Sequence, residues 1–485
     1  MKPVFKVKLA AIAKDEGFYL PLWVYHHFYF GFDVLDIRVN DTTDNSWQVL
    51  EKLKSIYGER LRFSLADKEM AECRAKDVNF QVHVYTQIHQ ETLAEDFTHL
   101  MFLDIDEYWC AANFSETIKD FLAKKHDFNV CMFQWLMEVP NHARKIEDYV
   151  FQETLQGQKA DHVKSLLNIK TPVRAARIHN FIIKKGKYIL PDSQVIEFPE
   201  ADSARGVLSA EVFAAKRLVL DNYFIYHQVF RSQEEYISGL LRGNKQNGDD
   251  SLLKTNRFGF ISGYLDEFNI NWQLPVQALA LYQQGYEKIT QALSFELLAA
   301  KSLVLKRKDT VLNYLESDIF LQELHKHRML GLSPDIYLPK PVKYPIRAKV
   351  KAVSFNETDN CCSVICNIIS EAINLDYELA ITQSFNKDLI EARFNLLEIK
   401  QKPDRIVKRF QIEIDMAHLS HVIYSKWPPF CLAAKINNEL VLLERAAFRE
   451  LGDIVAPKAR KLRKLALGQQ NQSKPSFWHR LFRKI

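Results

Sequence analysis

Residues 7–105 alternate short apolar runs with longer helix-like segments, and this alternation is the strongest constraint on the fold. The runs typical of buried strands are VKLAAIA, VLDIRVN, LRFSL and HLMFLDI, and segments with helical apolar spacing separate them. Strands that alternate with helices predict βαβ units. The sequence therefore predicts an α/β fold with a Rossmann-like, mostly parallel sheet and flanking helices.

Two polar clusters follow strands of this predicted sheet, at residues 40–44 and 104–107. Both fall at the carboxyl edge, where open α/β sheets bind ligands. The second cluster contains Asp104, Asp106 and Glu107, whose like charges repel unless water or a cation lies among them. Hard carboxylate oxygens favour Mn²⁺ or Mg²⁺, and such an ion in turn binds diphosphate oxygens. We therefore predict a divalent metal site at this strand end.

The later part of the chain changes character twice. Helical apolar spacing extends over residues 263–335, and short β-rich runs with turn signals follow over residues 343–450. Such runs without long helices between them predict a small β-sandwich-like domain. We expect a first domain over 1–262, the helical segment, the β-rich domain and a separate tail over 456–485.

The tail carries nine Lys and Arg residues and no acid, although the whole chain has a formal net charge of only +5. The remaining body therefore carries a net −4, which argues against a nucleic-acid partner. Basic residues beside Phe477, Trp478, Leu481 and Phe482 are typical of an interfacial helix on anionic lipid. The alternative is a solvated tail without regular structure.

The cellular location follows from the same composition. Seven cysteines show no zinc-site spacing and are expected to be reduced, and no apolar run approaches the about 20 residues of a membrane span. We expect a cytoplasmic protein that is peripheral on the inner membrane face through its tail.

Five sequence blocks in residues 8–245 resemble glycosyltransferases of the GT-A fold, in particular the family-2-like and family-92 group. The first is AIAKDEGFYLPLWVYHHFYFGFDVLDIRVNDTTDNS, similar to that group's K-N-E…L-P-E-W…Y-H…G-F…N-D-S-T-D pattern. The others are Q…Y leading to FLDIDEYW, VKSLLN, RIHNF and YFIYHQVFRSQEEYISG. The resemblance implies a GT-A-type sheet in the first domain and a nucleotide-sugar-dependent activity.

The resemblance also implies roles for individual residues. Glu16 and Asp41 would line the nucleoside pocket. Asp104 and Asp106 would hold the Mn²⁺ or Mg²⁺ ion that bridges the donor diphosphate. Glu107 would either touch the donor sugar or cap the next helix.

Other candidate positions each keep an alternative. His227 is a third metal ligand or a phosphate contact beside the phosphate clamp Arg231, or else a core histidine on a strand. His179 is the rival metal ligand. Lys164 either pairs with a phosphate or is a solvated surface lysine. Glu138 is a candidate general base, or else a salt-bridged surface glutamate.

We therefore predict a metal-dependent, inverting glycosyltransferase that takes a sugar from a UDP-linked donor. Its acceptor would be a glycan or a lipid-linked molecule, in surface polysaccharide or glycolipid biosynthesis. One alternative is a non-catalytic glycan-binding or assembly protein built on a degenerate transferase domain. Another is a phosphohydrolase with an aspartyl nucleophile, although its DxD normally lies near the N-terminus and precedes Thr, whereas Glu107-Tyr108 follow here.

Overall fold

The structure is a computed structural model, and it describes residues 4–198, 205–242, 252–254, 257–262, 266–339, 346–356, 361–371, 375–383, 389–402, 404–415, 430–436 and 439–444. The chain divides into two compact units, each described by itself. The first unit comprises Met1–Arg242, Phe258–Thr310 and Leu330–Ile336, and the second comprises Gly243–Arg257, Val311–Met329 and Tyr337–Ile485.

The first unit is built around one large sheet. Its strands in chain order are β1 (Val7–Ala13), β2 (Val34–Val39), β3 (Leu61–Leu65), β4 (His99–Phe102), β5 (Glu107–Ala111), β6 (Val130–Glu138), β7 (Thr154–Asn168), β8 (Val173–Ala176), β9 (Phe181–Ile183), β10 (Tyr188–Ile189), β11 (Val195–Ile196), β12 (Tyr223–His227) and β13 (Ile270–Gln273). In the described part of the unit, eleven of them form a sheet of order β11-β10-β6-β7-β4-β1-β2-β3, with β12 beside β5 and β6 and with β13 beside β7. Strands β8 and β9 pair with each other.

Helices flank this sheet and continue after it. They are α1 (Leu20–Tyr29), α2 (Ser46–Tyr57), α3 (Asp67–Lys76), α4 (Phe80–Leu93), α5 (Ile118–Lys124), α6 (Ala210–Lys216), α7 (Gln233–Leu240), α8 (Val276–Ala292) and α9 (Ser294–Glu316). Local sequence fixes several of their starts. A capping box in which Ser232 and Glu235 bond reciprocally begins α7, immediately after the loop that follows β12.

Parallel pairing sets the position of the functional edge. Strand β1 pairs in parallel with β2 and with β4, and six of its seven residues are buried. A strand buried on both faces reads as a continuous apolar run, as VKLAAIA does. Because β1, β2 and β4 run in the same direction, the loops that follow them meet at one edge of the sheet.

The predicted α/β class, with a large sheet and flanking helices, is confirmed, and the strands predicted over VKLAAIA and LRFSL match β1 and β3 residue for residue. The sequence missed α3, the strand β5 directly after the acidic turn, and β13 inside the predicted helical segment. It also missed that β7 joins β4, β6 and β13 through antiparallel pairs. Strand β7 has many polar residues, and its stability comes from partners distant in the sequence, which local patterns do not report.

The second unit contains the helix α10 (Ile319–His325) and eight strands among the described residues. They are β14 (Ile346–Asn356), β15 (Cys361–Ser370), β16 (Glu378–Gln383), β17 (Leu389–Ile390), β18 (Ala392–Lys402), β19 (Arg405–Asp415), β20 (Phe430–Ile436) and β21 (Glu439–Glu444). They form two four-stranded sheets of order β14-β15-β19-β18 and β17-β16-β20-β21.

Both sheets of the second unit contribute to one apolar core. Val364 and Ile412 come from the first sheet, and Ile381 and Leu432 come from the second. The β-rich part predicted over 343–450 thus has the shared core of a sandwich-like domain. The strand-like runs of the sequence in this part are RAKVKAVSF, CCSVICNII, YELAITQSF, RFQIEIDMA, VIYSKW and PFCLAAKI. They do not include β17, β18 or β21, and VIYSKW lies outside the described residues.

In the described part of the chain, no helix combines the length and the apolar character needed to cross a membrane. The basic tail over 456–485 lies outside the described residues.

His26 in α1 is buried, and its neutral imidazole has a hydrogen-bond partner in the core for each ring nitrogen. Its Nε2 lies 2.8 Å from the carbonyl oxygen of Trp109, and its Nδ1 lies 3.0 Å from the hydroxyl of Tyr282. A carbonyl can only accept, so Nε2 donates to it and Nδ1 accepts from the hydroxyl. Burial lowers the pKa of His26 to about 3.

We expect His26 to make stability depend on pH. Its folded pKa lies below the unfolded value of 6.5, so its contribution is present above pH 6.5 and is lost as the pH falls towards 3. In this window the free energy of unfolding should fall by about 1.4 kcal/mol per pH unit from this group. Urea unfolding of His26→Gln across the window should show a slope reduced by that amount, whereas the exposed control His126→Gln should keep the wild-type slope. Equal slopes in both variants would contradict the assignment.

Candidate functional site

The acidic turn between β4 and β5 is held rigidly by its own backbone and by α1. The Glu107 amide donates to the Asp104 carbonyl at 3.0 Å, and the Asp104 amide donates to the Glu107 carboxylate at 2.8 Å. The indole Nε1 of Trp23 donates to the carbonyls of both residues, at 3.0 and 3.1 Å. The turn therefore presents its aspartates in a fixed geometry.

Lys164 of β7 lies beneath this turn. Its Nζ is 3.0 Å from both the Asp104 and the Glu107 carboxylates, and its side chain is fully buried, as is that of Glu107. Burial raises the pKa of Glu107 to about 7, although Lys164 acts in the opposite direction. Burial also disfavours the ammonium, but the two carboxylates raise the pKa of Lys164 above its usual value. Two sequence alternatives are therefore wrong: Lys164 is not a surface lysine, and Glu107 begins a strand rather than capping a helix.

Asp106 points to a different neighbour from Asp104. Its Oδ1 lies 3.7 Å from Nε2 of His227, the last residue of β12, which pairs with Glu107 across the antiparallel β5–β12 ladder. The side chains of Asp104 and Asp106 are 32% and 24% exposed, so solvent or a ligand can reach both. The predicted neighbourhood of Asp104, Asp106 and His227 is thus present.

His179 lies close to this group through a residue that the sequence did not single out. The ring of Trp135 is centred 4.3 Å from that of His227 and 5.2 Å from that of His179. Burial, followed by the charge of Lys164, lowers the pKa of His179 far below its usual value, so its imidazole is neutral. The Nδ1 atoms of both histidines are buried without a hydrogen-bond partner among the described residues.

Gly206 allows His179 to occupy its position. Its φ is +67°, and a Cβ built on it would lie 2.3 Å from the Cβ of His179. Any other residue would combine backbone strain with a steric clash. No sequence signal separates this glycine from an ordinary turn glycine.

Arg231 and Arg242, which both lie beside Glu16, form the cationic side of the site. The Arg231 guanidinium lies 3.4 Å above the ring of Tyr19, and its Nη1 is 3.7 Å from Glu16. Its Nε and Nη2 are buried without a hydrogen-bond partner among the described residues. Arg242, which the sequence missed, pairs with the other oxygen of Glu16. Burial raises the pKa of Glu16, while Arg242 and Arg231 oppose the shift.

The acidic turn and the cationic side act on each other electrostatically. Burial lowers the pKa of Arg231, but Tyr19, Glu16 and Asp106 together raise it above its usual value. Asp106 also raises the pKa of Glu16. The structure thus brings Glu16, Arg231 and the acidic turn together at one edge of the sheet.

Asp41 follows β2 at the same edge, but its carboxylate has other partners. Lys14 Nζ is 2.8 Å from it, and Arg74 Nη2 is 3.4 Å from it. Its φ of +47° places it in the left-handed region, which Asp tolerates better than most residues. Asp41 is therefore ion-paired at the edge where the nucleoside pocket is predicted.

Glu138 ends β6 and is buried with both carboxylate oxygens bonded. One oxygen accepts from Arg144 at 2.8 Å, and the other accepts from the backbone amides of Phe230 and Arg231 at 3.0 and 2.8 Å. The predicted ion pair exists, but it is buried rather than on the surface. This geometry favours a role in shaping the loop that carries Arg231 over a role as general base.

The donor atoms fit a hard divalent cation at the outer side of the turn. Asp104 and Asp106 offer partly exposed carboxylates, and His227 adds the imidazole Nε2 that faces Asp106. Among the described residues, however, no group of three or more His, Cys, Asp or Glu side chains is arranged to hold a metal ion. Ligand oxygens would have to complete the coordination shell.

No protein-family model matches this chain, and a search of curated proteins finds no significant match.

Removing Lys164 should destabilise the fold because the pKa of Glu107 then rises further, and the buried carboxyl must take up a proton or stay charged without its partner. We expect Lys164→Met to lower the free energy of unfolding by roughly 3–5 kcal/mol near neutral pH. The loss should be smaller near pH 5, where protonation removes the buried charge of Glu107. Denaturant unfolding at the two pH values measures both effects.

Two further variants test the cause. Lys164→Met combined with Glu107→Gln should recover part of the lost stability, and Lys187→Met, which removes an exposed lysine, should leave it nearly unchanged. A single Lys164→Met variant as stable as the wild type would contradict the proposed charge balance.

Proposed function

We propose that the first unit is a GT-A-type, metal-dependent glycosyltransferase that uses a nucleotide-sugar donor. The donor expected from the sequence is UDP-linked. One observation carries this proposal: partly exposed carboxylates and a buried guanidinium with unpartnered donors lie side by side at the carboxyl edge of the sheet. A ligand that satisfies both must carry a cation and an anion together. A divalent metal bound to a diphosphate has this character.

The residues divide between the two charges of such a ligand. Asp104 and Asp106 would hold the metal, with His227 or His179 as a further ligand. When bound, the metal supplies positive charge that stabilises the diphosphate as the sugar–phosphate bond breaks. Arg231 offers two unpartnered donor nitrogens in a buried setting, where hydrogen bonds to phosphate oxygens are strong.

Other residues position these groups. Lys164 holds the Asp104 and Glu107 carboxylates in place, so it acts through them rather than on a phosphate directly. Glu16 is bonded to Arg242 and close to Arg231, and it would face the ribose when the guanidinium groups turn to the phosphates. The acceptor hydroxyl would attack the anomeric carbon as the bond from that carbon to the diphosphate oxygen breaks on the opposite side, which inverts the configuration. The hydroxyl proton would pass to a base or to water.

Nucleotide binding is the direct test. Calorimetric titration with UDP should show binding that requires Mn²⁺ or Mg²⁺ and is lost in Asp104→Asn and in Asp106→Asn. Asp127→Asn removes an exposed aspartate of similar character and should bind UDP like the wild type. No nucleotide binding with any metal would overturn the proposal and favour the non-catalytic glycan-binding alternative.

We further propose that the basic tail attaches the protein to an anionic membrane surface on the cytoplasmic face, which would bring the site to a glycolipid or lipid-linked acceptor. Each Lys or Arg near such a surface contributes about 1 kcal/mol, and inserted aromatic side chains add to it.

Truncation after Val455 should abolish sedimentation with vesicles that contain phosphatidylserine, while neutral phosphatidylcholine vesicles should bind neither form. Trp478→Ala with Phe482→Ala should weaken binding without changing the charge. Undiminished sedimentation of the truncated chain would refute the attachment.

A further inference from the structure

A cavity of about 610 Å³ opens at the end of β6 in the first unit. Residues 138–144, Gln152, residues 154–156 and Tyr226 line it. None of the roles given above accounts for this cavity. Its position and its chemistry both indicate a ligand.

The cavity lies close to the acidic turn. Glu107, His227 and Met137 occupy matching positions on the adjacent strands β5, β12 and β6. Neighbouring strands are about 4.8 Å apart, so the end of β6 lies roughly 10 Å from the turn. That separation is suited to a second substrate that must reach a bound donor.

The lining combines polar side chains with apolar ones, among them Val139, Pro140 and Leu155, and is nearly without net charge. Asn141, Gln152, Thr154 and Gln156 contribute amides and a hydroxyl. The charged pair Glu138–Arg144 is internally neutralised, yet the buried Nε of Arg144 has no hydrogen-bond partner among the described residues. Such a lining does not favour an anionic ligand, and its polar part leaves donors and acceptors to be satisfied.

A ladder of uncharged side chains continues from the cavity along the antiparallel strands β7 and β13. Thr154 pairs with Gln273 at 2.8 Å, and Gln156 pairs with Asn271 at 3.1 Å. These four residues are exposed. Cross-strand pairs of this kind contribute only about 0.2–1 kcal/mol to stability. Stability alone therefore does not explain why all four side chains are polar and uncharged.

We propose that this cavity and ladder bind an uncharged, hydroxyl-rich glycan. Amide groups carry both donors and acceptors, so each can match a sugar hydroxyl, which is also both. The interpretation of this glycan as the acceptor rests on the proposed transferase function. The binding of sugar at this surface does not.

Saturation-transfer NMR on the full chain tests the site with simple probes: the methyl glycosides of glucose, mannose, galactose, N-acetylglucosamine and glucuronic acid. At least one neutral glycoside should bind, and Gln152→Ala with Gln156→Ala should weaken its binding about tenfold or more through the lost hydrogen bonds. Gln90→Ala removes an exposed glutamine from α4 and should bind like the wild type. Thermal unfolding of each variant checks that it is folded.

An excess of UDP with Mn²⁺ should leave the glycoside signal in place, because the two sites are separate. The proposal is overturned if no neutral glycoside binds, if the cavity variant binds equally well, if UDP abolishes the signal, or if the glucuronide is preferred. Glycoside binding without UDP binding would instead remove the transferase function and keep the glycan site. UDP binding without glycoside binding would overturn the glycan site and keep the transferase function.

Discussion

The buried ammonium of Lys164 is the interaction on which the rest of the site depends. Asp104 and Glu107 are close in the sequence, and Glu107 is fully buried, so their two charges cannot persist together without a cation. The same Glu107 oxygen that meets Lys164 also accepts from the Asp104 amide, which closes the turn. A residue of β7 thus determines the conformation of a turn that lies 60 positions earlier in the chain.

From this centre, charges of opposite sign alternate outward. Glu107 and Lys164 are paired deep in the core, whereas Asp104 and Asp106 are partly exposed. Beyond them, Arg231 keeps two buried donors without partners among the described residues. Glu138, by contrast, is equally buried and has both oxygens bonded. The unpaired buried donors of Arg231 at this edge are groups that a polar ligand would complete.

The features that could be predicted are those that the local sequence pattern specifies. The strands β1 and β3 are continuous apolar runs, and the carboxylates that follow β4 are adjacent in the chain, so their place at a sheet edge follows directly. Lys164 entered through the resemblance, but its burial depends on pairing between β6 and β7 across long separations. Trp135, Gly206 and Arg242 gave no signal, because their importance arises from which neighbours the tertiary fold supplies. Glu107 was ambiguous because the sequence did not reveal that β5 begins at it.

The lysine also constrains where a second cation can bind. One Asp104 oxygen is already 3.0 Å from the Lys164 ammonium, and like charges at short range repel strongly in a partly desolvated site. A divalent ion is therefore favoured towards Asp106 and away from Lys164. That direction leads to Arg231 and Arg242, since both respond electrostatically to Asp106. A diphosphate bound to the proposed ion would then meet the guanidinium groups, so under the proposed function one buried ammonium would set the side of the turn on which a donor binds.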